Sequence, residues 1–403
     1  MIVKKLVGVA GGALLLAVTT PSTGHAIPAW ARKYNVSCSH CHAPAVPRLN
    51  ALGIRFRWAG YRMPEEIGEV AKVEKIQDYI SIRGRVQYAY EKPEDKPVST
   101  SAFQFSDATF FYSGPFGKNY GAFFELEREP NGEMGLQAHI DAAWGKEKSY
   151  GGFKVGYMHW LQRDGVAGFD RPTGLRTPTP HGSALTAKGI PFSFSPDQFG
   201  LELYYALGRN RISGQVLNGV NRTGGGGGAD VDTKKDFVLT DQFLFDEAGS
   251  GVTAVGYYGT LVGADPLAKD ATSHFWRVAL SANKFIKRFE MLAGVVLGQD
   301  TDLPVVTGGA FPKGTVKALG YYGYAGYSIL PKGASNALTV YTRYETIDPD
   351  TDVDTNSKSR FIFGGVLPIL RPEHLRLAAE YAKDSPQTGT GKSAFTLELM
   401  VNF

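Results

Sequence analysis

Residues 199–207 read FGLELYYAL, and this stretch decides the fold of the chain. Its large apolar side chains occupy every second position, from Phe199 through Leu203 to Leu207, and Glu202 lies between them. Successive side chains of a β-strand point to opposite faces, so the alternation predicts a strand with one apolar and one partly polar face. Such a strand suits a sheet whose two faces meet different surroundings.

The same alternation recurs from residue 78 to the end of the chain, in segments separated by turn-forming residues. Sixteen segments can be counted, and they start near residues 78, 101, 119, 137, 150, 199, 210, 236, 251, 273, 289, 315, 336, 359, 375 and 395. Their lengths suit the ~9–11 residues that a tilted strand needs to cross a bilayer, and bacterial single-chain barrels have an even number of strands. The chain is therefore predicted to be all-β, with a 16-stranded antiparallel transmembrane β-barrel over residues 78–403.

The connections between the predicted strands alternate in length. Those after even-numbered strands are brief, as at residues 148–149 and 287–288, whereas those after odd-numbered strands are mostly longer and include residues 161–198 and the glycine run 224–228. Tight periplasmic turns and long external loops produce this pattern in outer-membrane barrels. Both termini are then predicted to be periplasmic, and the barrel to contact outer-membrane lipid. The last strand alternates to Phe403, which resembles the closing strand of bacterial outer-membrane barrels.

A soluble β-sandwich is the alternative that periodicity leaves open, because two packed sheets also bury one face of every strand. The even count, the loop asymmetry and the aromatic richness (24 Phe, 20 Tyr and 5 Trp) favour the barrel, whose membrane interfaces carry aromatic girdles. The 49 glycines, 2 cysteines and net charge of +4 do not fit a disordered chain, a disulfide scaffold or a nucleic-acid-binding protein.

Residues 1–26 have the organisation of a secretory signal peptide. Lys4 and Lys5 form the basic region, an apolar run follows, and small residues flank His25 at the cleavage position. No later stretch reaches the ~20 apolar residues of a membrane-spanning helix. The exported chain is predicted to begin at Ile27.

Both cysteines lie in Cys38-Ser39-His40-Cys41-His42, the C-x-x-C-H pattern of covalent haem c attachment. Two intervening residues let one turn of backbone present both thiols to one edge of the macrocycle, and His42 is placed to ligate the iron. A disulfide or a redox-active C-x-x-C pair is the alternative, but a thioredoxin-like motif belongs in a βαβ context that the sequence lacks. The pattern predicts one covalent haem c.

The predicted haem segment, residues 27–77, is too short to enclose a haem by itself. Its helical stretch runs from Pro47, which suits a first helical turn, to Ala59, and Gly60 is placed to end it. Such a helix can cover one side of a haem, so another part of the chain must supply the remaining walls.

Met63 is the predicted sixth ligand of the haem iron. It is the methionine that follows the motif within the segment, and a thioether there would raise the haem potential relative to a second imidazole. The alternatives are His374 in a periplasmic turn, His139 on strand 4, or an open site.

The residues around the motif carry a resemblance to a known family. They are Ala31 to Ser37, the CSHCH motif, Pro47 to Asn50, Gly53, Phe56 and Gly60-Tyr61. This pattern resembles the fused monohaem cytochrome–porins, the family that contains the outer-membrane iron-oxidising cytochromes of neutrophilic and acidophilic iron oxidisers. The match covers residues 27–64, and Leu52 departs from it where a phenylalanine is expected. The resemblance implies that a small haem domain plugs or lines the periplasmic side of a barrel and moves electrons across the outer membrane.

The residues themselves lead to a similar arrangement. The haem segment directly precedes strand 1, at the periplasmic mouth, and a sixteen-stranded barrel has a lumen wide enough to receive it. The predicted lumen-facing residues are Arg83, Arg85, Glu125, Glu127, His139, Asp141, Glu202, Arg277, Arg343, Glu345, Arg376, Glu380 and Glu398. Arg83 and Arg85, nearest in sequence to the haem segment, are the predicted partners of the haem propionates.

One external loop carries aspartates at every second position. Asp348, Asp350, Asp352 and Asp354 offer carboxylate oxygens, which hard cations such as Ca²⁺ or Fe²⁺ accept. The glycine and closing glutamate of an EF-hand are missing, so the aspartates are expected to make the loop soluble, and a cation site is the alternative.

Three functions remain as hypotheses. The first is an electron conduit that passes single electrons between an extracellular donor, Fe(II), and a periplasmic c-type cytochrome or other soluble carrier; Fe(II) oxidation would make it an oxidoreductase if the resemblance holds. The second is a porin or uptake channel with an accessory haem plug. The third is a soluble periplasmic cytochrome that carries a sandwich. A conduit that reduces extracellular acceptors would use the same parts as the first.

Overall fold

The computed structural model describes residues 29–42, 48–71, 73–128, 132–161, 175–182, 192–194, 197–219, 233–262, 272–301, 315–329, 338–369 and 375–402. The predicted signal peptide, Pro47, the glycine run 224–228, His374 and Phe403 lie outside these ranges, as does the side chain of Cys38. Among the described residues, no helix is long and apolar enough to span a membrane.

Sixteen strands make up most of the described chain. Their bounds are β1 (Ile80–Pro93), β2 (Thr100–Phe116), β3 (Tyr120–Arg128), β4 (Met134–Lys146), β5 (Ser149–Met158), β6 (Gln198–Leu207), β7 (Asn210–Leu217), β8 (Asp236–Leu244), β9 (Gly251–Val262), β10 (Thr272–Ile286), β11 (Phe289–Thr301), β12 (Val316–Ile329), β13 (Leu338–Asp348), β14 (Lys358–Ile369), β15 (Leu375–Pro386) and β16 (Lys392–Asn402). Every predicted start lies within three residues of the observed one. The largest differences are at β4 and β16, whose first residues pair with a neighbouring strand before the apolar alternation begins.

The strands form one closed sheet. Each strand pairs antiparallel with the next, and β1 closes the barrel against β16, with Tyr88 opposite Leu397. The predicted 16-stranded antiparallel barrel is confirmed, and the two-sheet sandwich is wrong. Closure pairs the strand edges that an open sheet would leave exposed, which is what a lipid environment requires.

The two faces of the barrel wall differ as the sequence predicts. Leu201 and Leu203 point outward and are 42% and 62% exposed, whereas Glu202 between them points inward and is fully buried. Phe237 and Trp276 continue this exposed apolar surface on other strands. The outer face is therefore suited to lipid and the inner face is polar, which is the pattern of a transmembrane barrel.

The N-terminal segment, residues 29–79, enters the barrel from the end that carries the short turns. Its elements are α1 (Ala29–Tyr34), α2 (Ala51–Trp58) and 3-10 turns at Cys38–His40, Pro64–Glu66 and Ile76–Asp78. Ala51, Ile54 and Trp58 of α2 belong to one buried cluster with inward-facing residues of strands from β4 to β15. The barrel wall thus surrounds α2.

Helix α2 begins later than predicted. The expected start was Pro47, but Leu49 forms a β-bridge with His42, and Asn50 caps the helix by accepting a hydrogen bond from the Gly53 amide at 3.0 Å. Gly60 ends the helix as predicted, with φ of +75°. Residues 48–50 therefore hold the C-x-x-C-H loop and do not extend the helix.

The described parts of the β5–β6 connection also lie inside the lumen. The short helix α3 (Thr179–Gly182) contacts β11, β12 and β13 from inside the barrel. Phe192, Phe194 and Trp160 form a second buried cluster with inward-facing residues of the wall. Chain segments therefore occupy the lumen from both ends.

Candidate functional site

The C-x-x-C-H loop packs against the beginning of α2. The Asn50 amide group donates to the carbonyl of His40 at 2.8 Å, and the Asn50 backbone N–H donates to the carbonyl of Cys41 at 2.9 Å. Gly53 lets the loop approach, because a Cβ there would overlap the carbonyl oxygen of Cys41 and lie 3.2 Å from its carbonyl carbon. The loop geometry therefore depends on Asn50 and Gly53. The sequence alone did not predict that these two residues contact the loop.

His42 has the orientation that a metal-ligating histidine needs. Its Nδ1 lies 2.9 Å from the carbonyl oxygen of Arg48. Because a carbonyl oxygen only accepts, His42 donates from Nδ1 in this contact. Histidines that ligate a metal usually donate from their other ring nitrogen to a backbone carbonyl or a carboxylate. The chemistry of His42 thus fits the predicted haem iron.

Cys41 is largely buried, and this burial raises the pKa of its thiol to about 11. The cause is desolvation, which penalises the thiolate. At neutral pH the side chain is therefore a thiol, whose attachment to a vinyl group would replace one uncharged sulfur by another. The environment fits a thioether, whereas a redox-active cysteine has a lowered pKa.

Met63 follows the C-terminal end of α2 and lies in an aromatic cluster. It is 8% exposed and packs with Phe56, Tyr61 and Phe123, and further contacts come from Trp30, Tyr34, Leu52 and Phe111. This cluster contains residues of both the N-terminal segment and the barrel wall, which supplies the apolar surface that the segment lacks on its own. Ligation of iron by Met63 stays a prediction, since this packing also suits a core methionine.

Three consecutive residues, Gly60, Tyr61 and Arg62, fix the N-terminal segment to the wall and form the latch. The carbonyl of Gly60 lies so close to Gly121 on β3 that a Cβ on Gly121 would overlap it. The Tyr61 hydroxyl is 3.0 Å from Nε2 of His139. The Arg62 guanidinium donates to two backbone carbonyls at the β2–β3 turn, those of Lys118 and Tyr120. Sequence reasoning assigned the latch no docking role.

The predicted propionate partners lie in a charged cluster of the wall. Arg83 is 3.1 Å from Asp107 and 3.7 Å from Glu127, and Arg85 also pairs with Asp107. The Arg83 guanidinium lies 5.1 Å from the ring of Phe111, next to the cluster that contains Met63. Wall carboxylates already partner both arginines, and their pairing with propionates stays a prediction.

His139 points into the lumen as predicted. Its Nε2 is 3.2 Å from Asp141 as well as 3.0 Å from the Tyr61 hydroxyl, so this nitrogen is already in a hydrogen-bonded network. His374, the other candidate for the sixth ligand, lies outside the described residues.

Predicted lumen-facing charged residues point inward and form ion pairs, most of them across neighbouring strands, whereas Arg343 and Glu345 pair within β13. The pairs are Arg211–Glu202, Arg277–Asp300, Arg343–Glu345 and Arg376–Glu398, and each side chain is at most 2% exposed. Lumen segments join them: Arg48 of the N-terminal segment pairs with Glu290, and Thr179 of the β5–β6 connection donates from its amide to Glu345 at 3.0 Å. Paired charges and inserted chain thus fill much of the lumen.

The aspartate-rich external loop forms no cation cage. The Asp348 carboxylate accepts the Asp350 amide at 3.3 Å, and the Asp350 carboxylate accepts the Asp352 amide at 3.2 Å. Within the described part of the chain, no three His, Cys, Asp or Glu side chains gather into a group that could hold a metal ion. These carboxylates accept hydrogen bonds from amides within the loop and order it, and the described loop residues show no cation site.

Comparison with known proteins bears on the fold. No protein-family model and no curated protein matches the chain. Among solved structures it is similar to the anion-selective porin from Comamonas acidovorans, with a TM-score of 0.57, 11% identity, and coverage of 80% of this chain and 99% of that one. It is also similar to the loop L8 deletion mutant of OmpT, an outer membrane protein of Vibrio cholerae, with a TM-score of 0.53, 13% identity, and coverage of 80% of this chain and 99% of that one. The outer membrane channel DcaP of Acinetobacter baumannii is similar with a TM-score of 0.53, 11% identity, and coverage of 80% and 97%. The chain therefore has the fold of outer-membrane porins and channels.

Proposed function

We propose that this chain is an outer-membrane electron conduit. One haem c, bound covalently through Cys38 and Cys41, would pass single electrons between extracellular Fe(II) and a periplasmic c-type cytochrome. The observation that carries the proposal is the C-x-x-C-H motif held at the mouth of a barrel, with Nδ1 of His42 directed at the Arg48 carbonyl as in metal-ligating histidines. The fused cytochrome–porins, which the sequence resembles, combine the same two parts.

Each residue of the proposed haem site would have a separate role. Cys38 and Cys41 would attach the haem, His42 and Met63 would ligate its iron, and the bound group would supply one-electron chemistry. The latch would hold the loaded segment against the wall. The pairing of Arg48 with the buried Glu290 would fix the beginning of α2 inside the barrel. No acid, base or nucleophile is needed for the transfer itself.

The test is haem content followed by haem reduction. The full chain is expressed in a host with a c-type cytochrome maturation system, and covalent haem is measured by the pyridine haemochrome method. We expect one haem per chain and loss of covalent haem in the Cys38→Ser/Cys41→Ser variant. Fe(II) added to intact cells should then reduce the haem. A colourless wild-type chain, or a haem that Fe(II) leaves oxidised, contradicts the proposal.

A solute channel is the second candidate, and the likeness to porins favours it. The fold is shared with an anion-selective porin and an outer membrane channel, and that likeness supports a channel more directly than it supports electron transfer. The occupied lumen argues for the conduit, because a diffusion pore needs a water-filled path. Conductance of the purified chain in planar bilayers separates the two: steady, porin-like conductance with no Fe(II)-dependent haem reduction assigns the channel function.

The direction of electron flow is a separate part of the proposal. A methionine sixth ligand raises the haem potential and suits oxidation of an external donor, whereas a second imidazole lowers it and suits reduction of an external acceptor. Potentiometric titration of the haem-loaded chain, with the oxidised-state spectrum of wild type and Met63→His, measures both properties.

A further inference from the structure

A cavity lies inside the barrel at the end opposite the short turns. Its volume is about 520 Å³, and its walls are formed by β13, β14, β15 and β16 together with α3. The charged and polar side chains that decide its chemistry belong to Thr179, Glu345, Lys358, Arg360, Asp384 and Lys392. Pockets that hold small molecules have volumes of roughly 300–1,000 Å³. The cavity therefore has the size of a small-ligand site, at the other end of the barrel from the C-x-x-C-H loop.

Both carboxylates of this cavity already have partners. Glu345 is 1% exposed, forms an ion pair with Arg343 and accepts the Thr179 amide at 3.0 Å. The two oxygens of Asp384 each accept a hydrogen bond from the Arg360 guanidinium. Because each carboxylate is neutralised by its own arginine, neither supplies the net negative charge that would attract a cation.

Two lysines add positive charge to the cavity. Lys358 begins β14 and is exposed, and no side chain of the described residues pairs with its ammonium group. Lys392 begins β16 and lies 3.3 Å from Glu91, but these side chains are 43% and 47% exposed, so the pair is weak. The cavity thus has an excess of positive charge that favours an anion.

Arg360 and Thr388 have further hydrogen-bonding capacity. Arg360 uses three N–H groups, two on Asp384 and one on the Thr179 hydroxyl at 3.2 Å, and the described residues leave two of its five N–H groups for a ligand. Thr388, in the β15–β16 connection, also lines the cavity. Its hydroxyl donates to the Thr355 carbonyl at 2.9 Å, and its oxygen can accept in addition. The lining therefore combines cationic donors with an acceptor for an O–H group.

We propose that this cavity binds a small organic anion of the hydroxycarboxylate class. Lys358, Lys392 and the two remaining N–H groups of Arg360 bind the carboxylates, and the Thr388 oxygen accepts from the ligand's hydroxyl group. The inference goes beyond the proposed function, because the site needs no haem and is the same in a conduit and in a channel.

Charge favours this class of ligand over two others. A divalent cation would meet two lysines, while the carboxylates that could bind it are paired with arginines. A neutral saccharide could use the hydroxyl groups, but it would leave the positive charge of the lysines without a counterion. A ligand with both carboxylate and hydroxyl groups uses all the groups that the cavity presents.

Isothermal titration calorimetry of the full-length chain in detergent tests the site, with citrate as the probe. Tricarballylate has the same three carboxylates without the hydroxyl group, and glucose has hydroxyl groups without charge. We expect citrate to bind, tricarballylate to bind about fivefold more weakly, and glucose to give no heat of binding.

A double variant tests the lysines. Lys358→Met/Lys392→Met removes two charge-assisted contacts and should weaken citrate binding about tenfold or more. The matched control is Lys234→Met/Lys317→Met, which removes two exposed or half-buried lysines at the same end of the barrel that do not line the cavity. Citrate affinity should be unchanged in the control.

A second measurement needs no variant. The wild-type chain is acetylated with an N-hydroxysuccinimide ester, and modification of each lysine is followed by mass spectrometry. Citrate at about ten times its dissociation constant should slow the acetylation of Lys358 and Lys392 about tenfold and leave Lys234 and Lys317 unaffected.

Three results would overturn the proposal. Equal citrate affinity in wild type and Lys358→Met/Lys392→Met, or acetylation that citrate does not slow, would show that the lysines bind no carboxylate. Glucose binding as tight as citrate binding would assign the cavity to a neutral saccharide. Tricarballylate binding as tight as citrate binding would show that the ligand's hydroxyl group is not recognised.

Discussion

Gly121→Ala should loosen the N-terminal segment without disturbing the barrel. Gly121 lies on β3 opposite Asp141, and no positive φ makes alanine unsuitable there. A Cβ at this position would overlap the carbonyl oxygen of Gly60 and lie 2.9 Å from its carbonyl carbon. Since ordinary contacts begin at 3.4 Å, the carbonyl carbon would have to retreat by at least 0.5 Å and the oxygen by more.

The size of the effect follows from what this movement strains. Overpacking against backbone costs about 1–3 kcal/mol. Three latch bonds oppose undocking: the bond between Tyr61 and His139 contributes about 0.5–1.5 kcal/mol, and the two bonds from the charged Arg62 contribute about 1.5–3 kcal/mol each. The added strain is smaller than their sum, so the segment should stay docked most of the time. A strain of about 2 kcal/mol corresponds to a roughly 30-fold larger undocked population.

Hydrogen exchange measured by mass spectrometry provides the assay. Amides of α2 should exchange roughly 30-fold faster in Gly121→Ala than in wild type, while amides of β10 and β11 keep their rates. Conductance events in planar bilayers should become more frequent as the lumen opens. The matched control is Gly256→Ala, a strand glycine on β9 whose Cβ would meet nothing within 4 Å.

Unchanged exchange in α2 would refute the reasoning, because it would mean that Gly60 and Gly121 do not approach each other as described. Faster exchange across the barrel strands as well would show that the substitution unfolds the wall, and docking would then not be the property measured. Exchange restricted to α2, together with unchanged heat stability of the barrel, is the result that the contact predicts.

Three further predictions test other parts of the site. Arg48→Met leaves the buried Glu290 carboxylate without its cation and should lower thermal stability by about 3–5 kcal/mol, and the added change Glu290→Gln should restore most of it in melting experiments. Gly53→Ala should reduce covalent haem per chain in the pyridine haemochrome assay, since its Cβ would collide with the attachment loop while the barrel still forms. Burial raises the pKa of Asp246, but hydrogen bonds, first that from Lys284, outweigh burial and leave the pKa below its ordinary value. Its contribution to stability is therefore present above the ordinary carboxyl pKa and lost as the pH falls through the lowered value, so Asp246→Asn should flatten the acid limb of an unfolding-against-pH curve.

The barrel could be predicted almost completely because its pattern repeats along the chain. Every strand has lipid on its outer face and the polar lumen on its inner face, so each strand shows the apolar-polar alternation independently. An error in one predicted strand therefore does not change the others. The ends of the strands were predicted least accurately. At Met134 and Lys392 the pairing continues beyond the apolar belt, and residues there satisfy the backbone without any need for alternation.

The candidate site could be predicted only where the chemistry is local. The C-x-x-C-H spacing indicates Cys38, Cys41 and His42, because all of its geometry lies within one turn of backbone. The latch depends instead on contacts between residues far apart in sequence, such as Tyr61 with His139. No periodicity encodes such a contact. Gly60 indicates a helix end, and Gly60-Tyr61 also belongs to the family resemblance, but neither observation identifies the partner on the wall.

The buried ion pairs of the wall bear on whether the inserted segments can leave the lumen. A carboxylate such as Glu202 or Glu398 is fully buried and can remain charged only beside a cation, here the wall residues Arg211 and Arg376. Moving the inserted segments aside would expose these pairs to water at little electrostatic cost, because each pair is already neutral. The wall is therefore compatible with both an occupied and a vacated lumen, and the contacts of the inserted segments decide between them. An electron needs the segments in place, whereas a solute needs them displaced, so the two candidate functions make opposite demands on the contact between Gly60 and Gly121.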